Sequence, residues 1–196
     1  DLIKITLNTL DLKALEVDYS YVKKISYRNE NMLEYIHGVR RADGIITANE
    51  YTNLSYSISD VAEGKIKIGN DVFETGNSGA EEYIGYRIRY YYSEDEYGLK
   101  KILYIYDMDN LNKIIFIDSD DIISFRGGSL SYNTSKNSTK SEIIPTTADV
   151  LYNGVSCSDY TDSDLDIKEG SVTFVDNNGD GRWEMISILS GKVYVA

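Results

Sequence analysis

Residues 176–184 read Asp176-Asn177-Asn178-Gly179-Asp180-Gly181-Arg182-Trp183-Glu184, and they lie between the short apolar runs Val172–Val175 and Met185–Leu189. Runs of this length and composition predict strands, so the stretch is predicted to be the polar loop of a β-hairpin. Its oxygen-bearing side chains stand at alternate positions, and glycine permits a sharp turn. This pattern is typical of a loop that binds calcium.

The predicted Ca²⁺ ligands are the side chains of Asp176, Asn178, Asp180 and Glu184 and the carbonyl of Arg182. The spacing begins like an EF-hand, but the twelfth position of such a loop is Ser187, where a bidentate glutamate is required. Strand-like runs also stand where an EF-hand has helices. An EF-hand is therefore excluded. An ordinary polar turn remains the alternative, because Asn, Asp and Gly are common in turns.

The composition of the whole chain also favours strands. Its 196 residues include 18 Tyr and a single Pro, and 42% of them are hydrophobic, which is enough to build a core. The predicted fold class is mostly β, with two small barrel-like or sandwich-like β units and short one-turn helices.

The strand candidates divide the chain into two units. The N-terminal unit, residues 1–126, is predicted to contain a small barrel from about residue 40. Residues 127–141 are polar and lack apolar periodicity, which predicts a loop or linker. The C-terminal unit, residues 142–196, carries the acidic calcium-type hairpin loop. Strand candidates outside that hairpin include Leu2–Leu7, Leu15–Tyr21, Lys24–Tyr27, Gly44–Asn49, Gly64–Phe73, Tyr86–Tyr92, Lys101–Tyr106, Lys113–Ile117, Asp149–Tyr152 and Lys192–Val195.

Two short segments predict single helical turns. Ser78-Gly79-Ala80-Glu81 has the form of a capping box, and Gly85 can end the turn that it begins. Thr161-Asp162-Ser163-Asp164-Leu165 is a second capped turn. We expect the first of these turns to cross the barrel.

Charge excludes some classes of partner. The formal net charge is −12 and the basic residues are not clustered, whereas binding to nucleic acid requires concentrated Lys and Arg. The same balance argues against anionic membrane surfaces, and no run has the length of a membrane span. The chain starts at Asp1 without an apolar signal region, so we expect it to be processed or cut from a longer polypeptide.

The sequence contains few candidates for catalysis. His37 is the only histidine and Cys157 the only cysteine, and no family signature surrounds either of them. A glycosidase needs two carboxyl groups, but among 32 acidic residues close pairs arise by chance. We therefore predict that the chain is not an enzyme, with a carboxylate-only glycosidase as the remaining alternative.

Tyr90-Tyr91-Tyr92 suggests a platform on which sugars stack. In a strand, however, Tyr90 and Tyr92 face one side and Tyr91 faces the other. We expect at least one of these sides to belong to the core.

Two segments resemble modules of large secreted or cell-surface proteins of Clostridium-like Firmicutes, which often also carry S-layer homology domains. The first comprises Arg41-Ala-Asp-Gly-Ile-Ile-Thr-Ala-Asn-Glu-Tyr-Thr-Asn-Leu54, Gly64-Lys-Ile-Lys-Ile68 and Tyr83-Ile-Gly-Tyr86. The second comprises Val150-Leu-Tyr-Asn-Gly154, Tyr160-Thr-Asp-Ser-Asp-Leu165 and Gly170-Ser-Val-Thr-Phe-Val-Asp-Asn-Asn-Gly-Asp-Gly-Arg-Trp-Glu184. Such modules are expected to end the acidic loop with Asp, where this chain has Glu184.

The resemblance covers about residues 40–196 and implies an extracellular, non-catalytic module at the bacterial cell surface. Our leading hypothesis is a structural or assembly module that calcium stabilises and that contacts neighbouring protein modules or further copies of itself. One alternative is a module that binds glycans or the cell wall. The other is a β-rich subunit of a virion or extracellular filament that assembles through strand edges.

Overall fold

Strands dominate the computed structural model, which describes residues 9–19, 24–55, 59, 61–108, 110–135 and 138–191. The structure is 53% strand and 11% helix, which confirms the predicted mostly β class. No helix in the described part of the chain is long and apolar enough to cross a membrane. The predicted strands Leu2–Leu7 and Lys192–Val195 lie outside the described residues.

The first described elements are a hairpin and a short helix. They are strands β1 (Lys13–Asp18) and β2 (Lys24–Asn31), which pair antiparallel, and helix α1 (Met32–His37). The structure confirms a strand in each of the predicted segments Leu15–Tyr21 and Lys24–Tyr27, with shifted ends. Asn31 begins the helix because its side chain accepts a backbone N–H of the first turn.

A closed five-stranded barrel follows. Its strands are β3 (Val39–Ala48), β4 (Lys65–Ile68), β5 (Asp71–Glu74), β6 (Arg87–Glu94) and β7 (Lys100–Asp107). Around the barrel they are ordered β3-β4-β5-β7-β6, and β5 runs parallel to β7 where the barrel closes. The barrel predicted from about residue 40 is therefore confirmed. Gly64–Phe73, predicted as one strand, contributes two because the chain reverses near Gly69, whose φ is 60°.

The interior of the barrel is apolar and aromatic. Ile46, Ile66 and Ile88 are fully buried there, and the ring of Phe73 meets that of Tyr90 edge to face at 5.4 Å. Alternation along β6 places Ile88, Tyr90 and Tyr92 on the core side, which leaves Arg89 and Tyr91 on the outer surface.

The rest of the chain forms two more sheets. Its strands are β8 (Lys113–Asp118), β9 (Ile122–Arg126), β10 (Ser129–Ser135), β11 (Ser138–Ile143), β12 (Asp149–Tyr152), β13 (Val155–Ser156), β14 (Gly170–Asp176) and β15 (Met185–Ser190). The central sheet has the order β13-β12-β15-β14-β8, and β9, β10 and β11 form an antiparallel sheet of their own.

The placement of Lys113–Ile117 in the barrel was wrong. This segment is β8, which pairs with β14 from Asp176↔Lys113 to Ser171↔Asp118. The barrel closes without it because the chain reverses near Gly69, so that the segment predicted as one strand supplies two of the five.

The pairing of β8 with β14 joins a strand of the predicted N-terminal unit to a strand of the predicted C-terminal unit. The division into residues 1–126 and 142–196 as independent units stays a prediction.

The loop or linker predicted for residues 127–141 was also wrong, since most of the stretch belongs to β10 and β11. Among the described residues of this stretch, Leu130 and Tyr132 are the two that are buried in the core, while Ser131 pairs with Ser141 on the other face. An antiparallel sheet with one solvated face tolerates this polarity, so the few apolar residues obscured the alternation.

Strands β14 and β15 of the central sheet are buried on both faces. Val172, Phe174 and Ile186 pack in one core with Phe125 and Leu130 of the three-stranded sheet. A different set, Leu151, Val175 and Met185, belongs to the core of the barrel. The sheet is thus the middle layer between the barrel and the three-stranded sheet, which explains why β14 and β15 carry apolar residues on both faces and have Asp176, at the end of β14, as their single charged residue.

Both predicted helical turns are present, but only one has the predicted cap. Helix α2 (Asp162–Leu165) begins with the Thr161 capping box, in which Asp164 accepts the Thr161 backbone N–H at 2.8 Å. The other is a 3₁₀ turn, Ala80–Glu82, which Gly79 precedes without a side-chain cap. Its predicted capping box was wrong, because a left-handed glycine occupies the capping position.

We expect Gly85→Ala to weaken the joint between barrel and central sheet. The added Cβ would lie 2.7 Å from Met185 Cγ, and the φ of Gly85 is +82°. Backbone strain and overpacking together should lower the free energy of unfolding by about 2–4 kcal/mol, measured by urea denaturation. Gly79→Ala is the control, because its φ is +68° but no atom lies within 4 Å of the added Cβ. Equal losses in the two variants would contradict the packing argument.

Candidate metal centre

The acidic loop connects two adjacent strands of the central sheet. β14 and β15 pair antiparallel up to Val175↔Met185, and Glu184 donates its backbone N–H to the Val175 carbonyl at 3.0 Å. The predicted β-hairpin is therefore confirmed. Because both strands are buried, the start of the loop is held in the interior while its tip is exposed.

Asp176 organises the first half of the loop. Its side chain is 2% exposed, and its carboxylate accepts backbone N–H groups from Asn178, Gly179 and Gly181 at 3.3, 2.6 and 3.0 Å. Both glycines have φ near +80°, a region that glycine adopts without a steric penalty. These bonds compensate a buried charge that would otherwise be costly.

The next two polar side chains repeat this local bonding. Asn178 Oδ1 accepts the Asp180 backbone N–H at 2.8 Å, and Asp180 Oδ1 accepts the Arg182 backbone N–H at the same distance. Bonds from a side chain to the backbone two residues on are Asx turns. They fold each alternate side chain back over the loop.

Glu184 closes the loop from the β15 side. Its Oε2 accepts the Asn177 backbone N–H at 2.9 Å, and its Oε1 accepts Asn178 Nδ2 at 3.0 Å. The Glu184 side chain therefore spans the base of the loop.

The fold gathers three of the five predicted ligands into one cluster. Asp176, Asp180 and Glu184 each offer a carboxylate oxygen, and these oxygens lie within 4.8 Å of one another. Asn178 lies in the same loop and is bonded to Glu184. Arg182 is exposed, and its backbone N–H binds Asp180; its carbonyl stays a predicted ligand.

The carboxylates repel one another. Burial is the main cause that raises the pKa of Glu184, and the charges of Asp176 and Asp180 raise it further. The hydrogen bond from the Asn177 backbone N–H lowers this pKa, but the net shift is upward. A divalent cation among the three groups would favour their charged forms.

The loop also contacts the barrel through a residue that the sequence analysis did not single out. Asn177 is 4% exposed, and its Nδ2 donates to the Gly85 carbonyl at 2.8 Å. No local pattern marks this bond, because 92 positions separate its partners. Asp149 was missed as well: its backbone N–H binds the Glu184 carbonyl, and burial raises the pKa of its carboxyl.

The remaining candidates lie elsewhere. His37 is exposed in the last turn of α1, and Cys157 is half-buried after β13. Tyr90 lies in the barrel core with Tyr92 packed beside it, whereas Tyr91 contacts Tyr106 outside that core. The predicted division of the three tyrosines between two sides is confirmed.

No protein-family model, curated protein or solved structure matches this chain.

The three carboxylates differ in structural importance, which mutation should show without metal. We expect Asp176→Ala in EDTA to lower the free energy of unfolding by about 2–3 kcal/mol, because three backbone donors lose a charged acceptor. Asp180→Ala removes one exposed bond and should cost less than about 1 kcal/mol. Urea denaturation measures both, and an equal loss would show that the burial of Asp176 is unimportant.

The raised pKa of Glu184 predicts a pH dependence in EDTA. The folded state holds this proton more tightly than the unfolded chain does. The stabilising contribution is therefore complete below the ordinary glutamate pKa of about 4.3 and is lost as pH rises through the raised folded value. Glu184→Gln should flatten the fall in unfolding free energy over this window. The exposed Glu96→Gln is the control; if both variants keep the wild-type slope, the prediction fails.

Proposed function

We propose that this chain is a non-catalytic structural module whose loop 176–184 binds calcium. The observation that carries the proposal is the cluster of three carboxylate oxygens within 4.8 Å of one another. Calcium lies about 2.3–2.6 Å from its oxygen ligands, so two ligands of one ion can be no more than about 5 Å apart. The spacing supports a single ion.

The chemistry of the donors favours calcium over other metals. Asp176, Asp180 and Glu184 supply hard carboxylate oxygens, and Asn178 and the Arg182 carbonyl can add neutral ones. Asp176 Oδ1 already accepts two backbone N–H groups. Asp176 Oδ2, Asp180 Oδ1 and the two Glu184 oxygens each accept one loop bond, and each therefore keeps a lone pair for a metal. With water completing the shell, the donor set fits the six to eight oxygens that calcium takes.

The position of the loop supports a structural role. Asn177 of the loop is bonded to Gly85 of the barrel, and the two strands beside the loop form the middle of the central sheet. An ion that holds Asp176 and Glu184 together would therefore stiffen the junction of two layers. Together with the resemblance to surface-protein modules, this role supports an extracellular place on the bacterial surface, with neighbouring modules as partners.

The proposal that the module is non-catalytic rests on the sequence. His37 and Cys157 are the single members of their types, and neither has a catalytic signature around it. We expect no release of reducing sugar from peptidoglycan by the purified chain.

One observation favours a second candidate, assembly into a filament or virion. β8 is an edge strand of the central sheet, and Ile114 and Phe116 on it are 42% and 64% exposed. Such an edge can pair with a strand of another chain. Sedimentation at increasing protein concentration tests this candidate, and a Phe116→Lys variant should reduce any association found.

Calcium should stabilise the folded chain. With a dissociation constant on the order of 10⁻⁴ to 10⁻³ M, as in extracellular modules, calcium at ten times that value adds about 1.4 kcal/mol. The melting temperature should rise by about 3–6 °C over the value in EDTA. Magnesium should give a smaller shift, because it requires a nearly ideal octahedral site. Thermal unfolding followed by circular dichroism measures both shifts.

Asp180→Asn provides the sharpest variant for this test. The asparagine keeps an oxygen for the Arg182 N–H, yet it removes one charge from the cluster. Its calcium shift should be much smaller, whereas the exposed Asp159→Asn should keep the wild-type shift. A wild-type melting curve that is the same in EDTA and in calcium would disprove the site.

A further inference from the structure

The outer surface of the barrel carries a second group of side chains with binding chemistry. Arg41, Ala42, Asp43, Arg89 and Tyr106 line an open concavity of about 340 Å³, which we call the arginine–tyrosine pocket. The ring of Tyr91 lies against that of Tyr106, with centroids 4.8 Å apart and planes inclined by 37°. The pocket thus combines two guanidinium groups with an aromatic wall.

Strand register explains how these residues meet. β3 and β6 pair so that Arg41 lies opposite Tyr91 and Asp43 opposite Arg89. Between β6 and β7, Arg89 pairs with Asp107 but Tyr90 pairs with Ile105, which leaves Tyr106 as an extra residue in a bulge. A β-bulge redirects a side chain, and here it brings Tyr106 against Tyr91.

The Tyr106 phenol lies in the field of both arginines. Burial raises its pKa, while the charges of Arg41 and Arg89 act in the opposite direction. Asp43 is compensated by a third arginine, because its Oδ2 accepts hydrogen bonds from two nitrogens of Arg87. The carboxylate of Asp43, which lines the pocket, is therefore partly neutralised.

A carboxylate of the protein already shows what fits beside Arg41. Asp11 Oδ2 lies 3.4 Å from Arg41 Nη1, and the two side chains are 41% and 48% exposed. A long, exposed pair of this kind contributes about 0–1 kcal/mol, so a carboxylate from a ligand can replace Asp11 at little cost.

We propose that the arginine–tyrosine pocket binds an acidic sugar, such as a uronate unit of a polysaccharide. The planar guanidinium of Arg41 suits the carboxylate, and arginine is the side chain best matched to that group. The ring of Tyr106, with that of Tyr91 packed against it, offers aromatic surface to the C–H face of a sugar ring, and the two hydroxyls offer hydrogen bonds. This ligand goes beyond the calcium-bound structural module and does not require it.

The test is calorimetric titration with hexagalacturonate in EDTA, since uronates themselves bind calcium. The wild-type chain should bind hexagalacturonate more tightly than neutral maltohexaose, and 500 mM salt should weaken the binding. Arg41→Gln should weaken it about fivefold, the factor that corresponds to about 1 kcal/mol for an exposed charge pair. Asp11→Asn should tighten it, because it removes the competing carboxylate.

Two controls separate the pocket from general electrostatics. Arg126→Gln removes the same charge from the exposed surface of β9 and should leave the affinity unchanged. Tyr91→Leu should weaken binding while thermal unfolding shows that the barrel remains folded. The proposal is overturned by an absence of hexagalacturonate binding, by equal binding of maltohexaose, or by equal effects of the Arg41 and Arg126 variants. It is also overturned if Arg41→Gln abolishes only self-association, since the pocket would then bind an acidic segment of another copy.

Discussion

The two-sided burial of the β14–β15 hairpin is the constraint on which the rest of the structure depends. Its strands pack against the three-stranded sheet through Phe174 and Ile186 and against the barrel through Val175 and Met185. Strands in such a position carry apolar residues on both faces and few charges, so the charged residues concentrate at the end of β14 and in the loop that follows. That loop must then satisfy a buried carboxylate, Asp176, from its own backbone. The packing of β14 and β15 between two layers therefore places several carboxylates next to a hydrophobic core.

Sequence reasoning succeeded where the determining contacts are local. The hairpin follows from two apolar runs around a glycine-rich polar turn, and the Thr161 cap follows from residues three positions apart. It failed where partners are distant or weakly patterned. The sequence pattern of Lys113–Ile117 does not differ from that of the barrel strands before it. Its place in the central sheet is decided by its pairing with β14, which is distant in sequence. The pairing of β10 with β11 was not predicted, because the solvated face of these strands, which includes Ser131, is polar.

The same distinction separates the two candidate sites. The carboxylates of Asp176, Asp180 and Glu184 are neighbours in sequence, so their convergence could be predicted from spacing alone. The bond from Asn177 to Gly85 could not, because nothing in either segment indicates the other. The arginine–tyrosine pocket was even less predictable. The tyrosine run suggested sugar stacking, but the partner of Tyr91 is Tyr106, and a bulge places it there.

The chain from Gly85 into β6 connects the loop to the pocket. Gly85, which binds Asn177, lies four positions before Arg89, or about 13 Å of extended chain. The direct route by which an ion in the loop would change the pocket is a shift of β6 against β3, the strands that carry Arg89 and Arg41. Their antiparallel register runs without interruption from Ile45↔Arg87 to Val39↔Ser93, and a shift by one residue would turn Tyr90 out of the core. The cost of that shift far exceeds the energy of a weak calcium site. The two sites should therefore be energetically independent, and a failure of one proposal leaves the other intact.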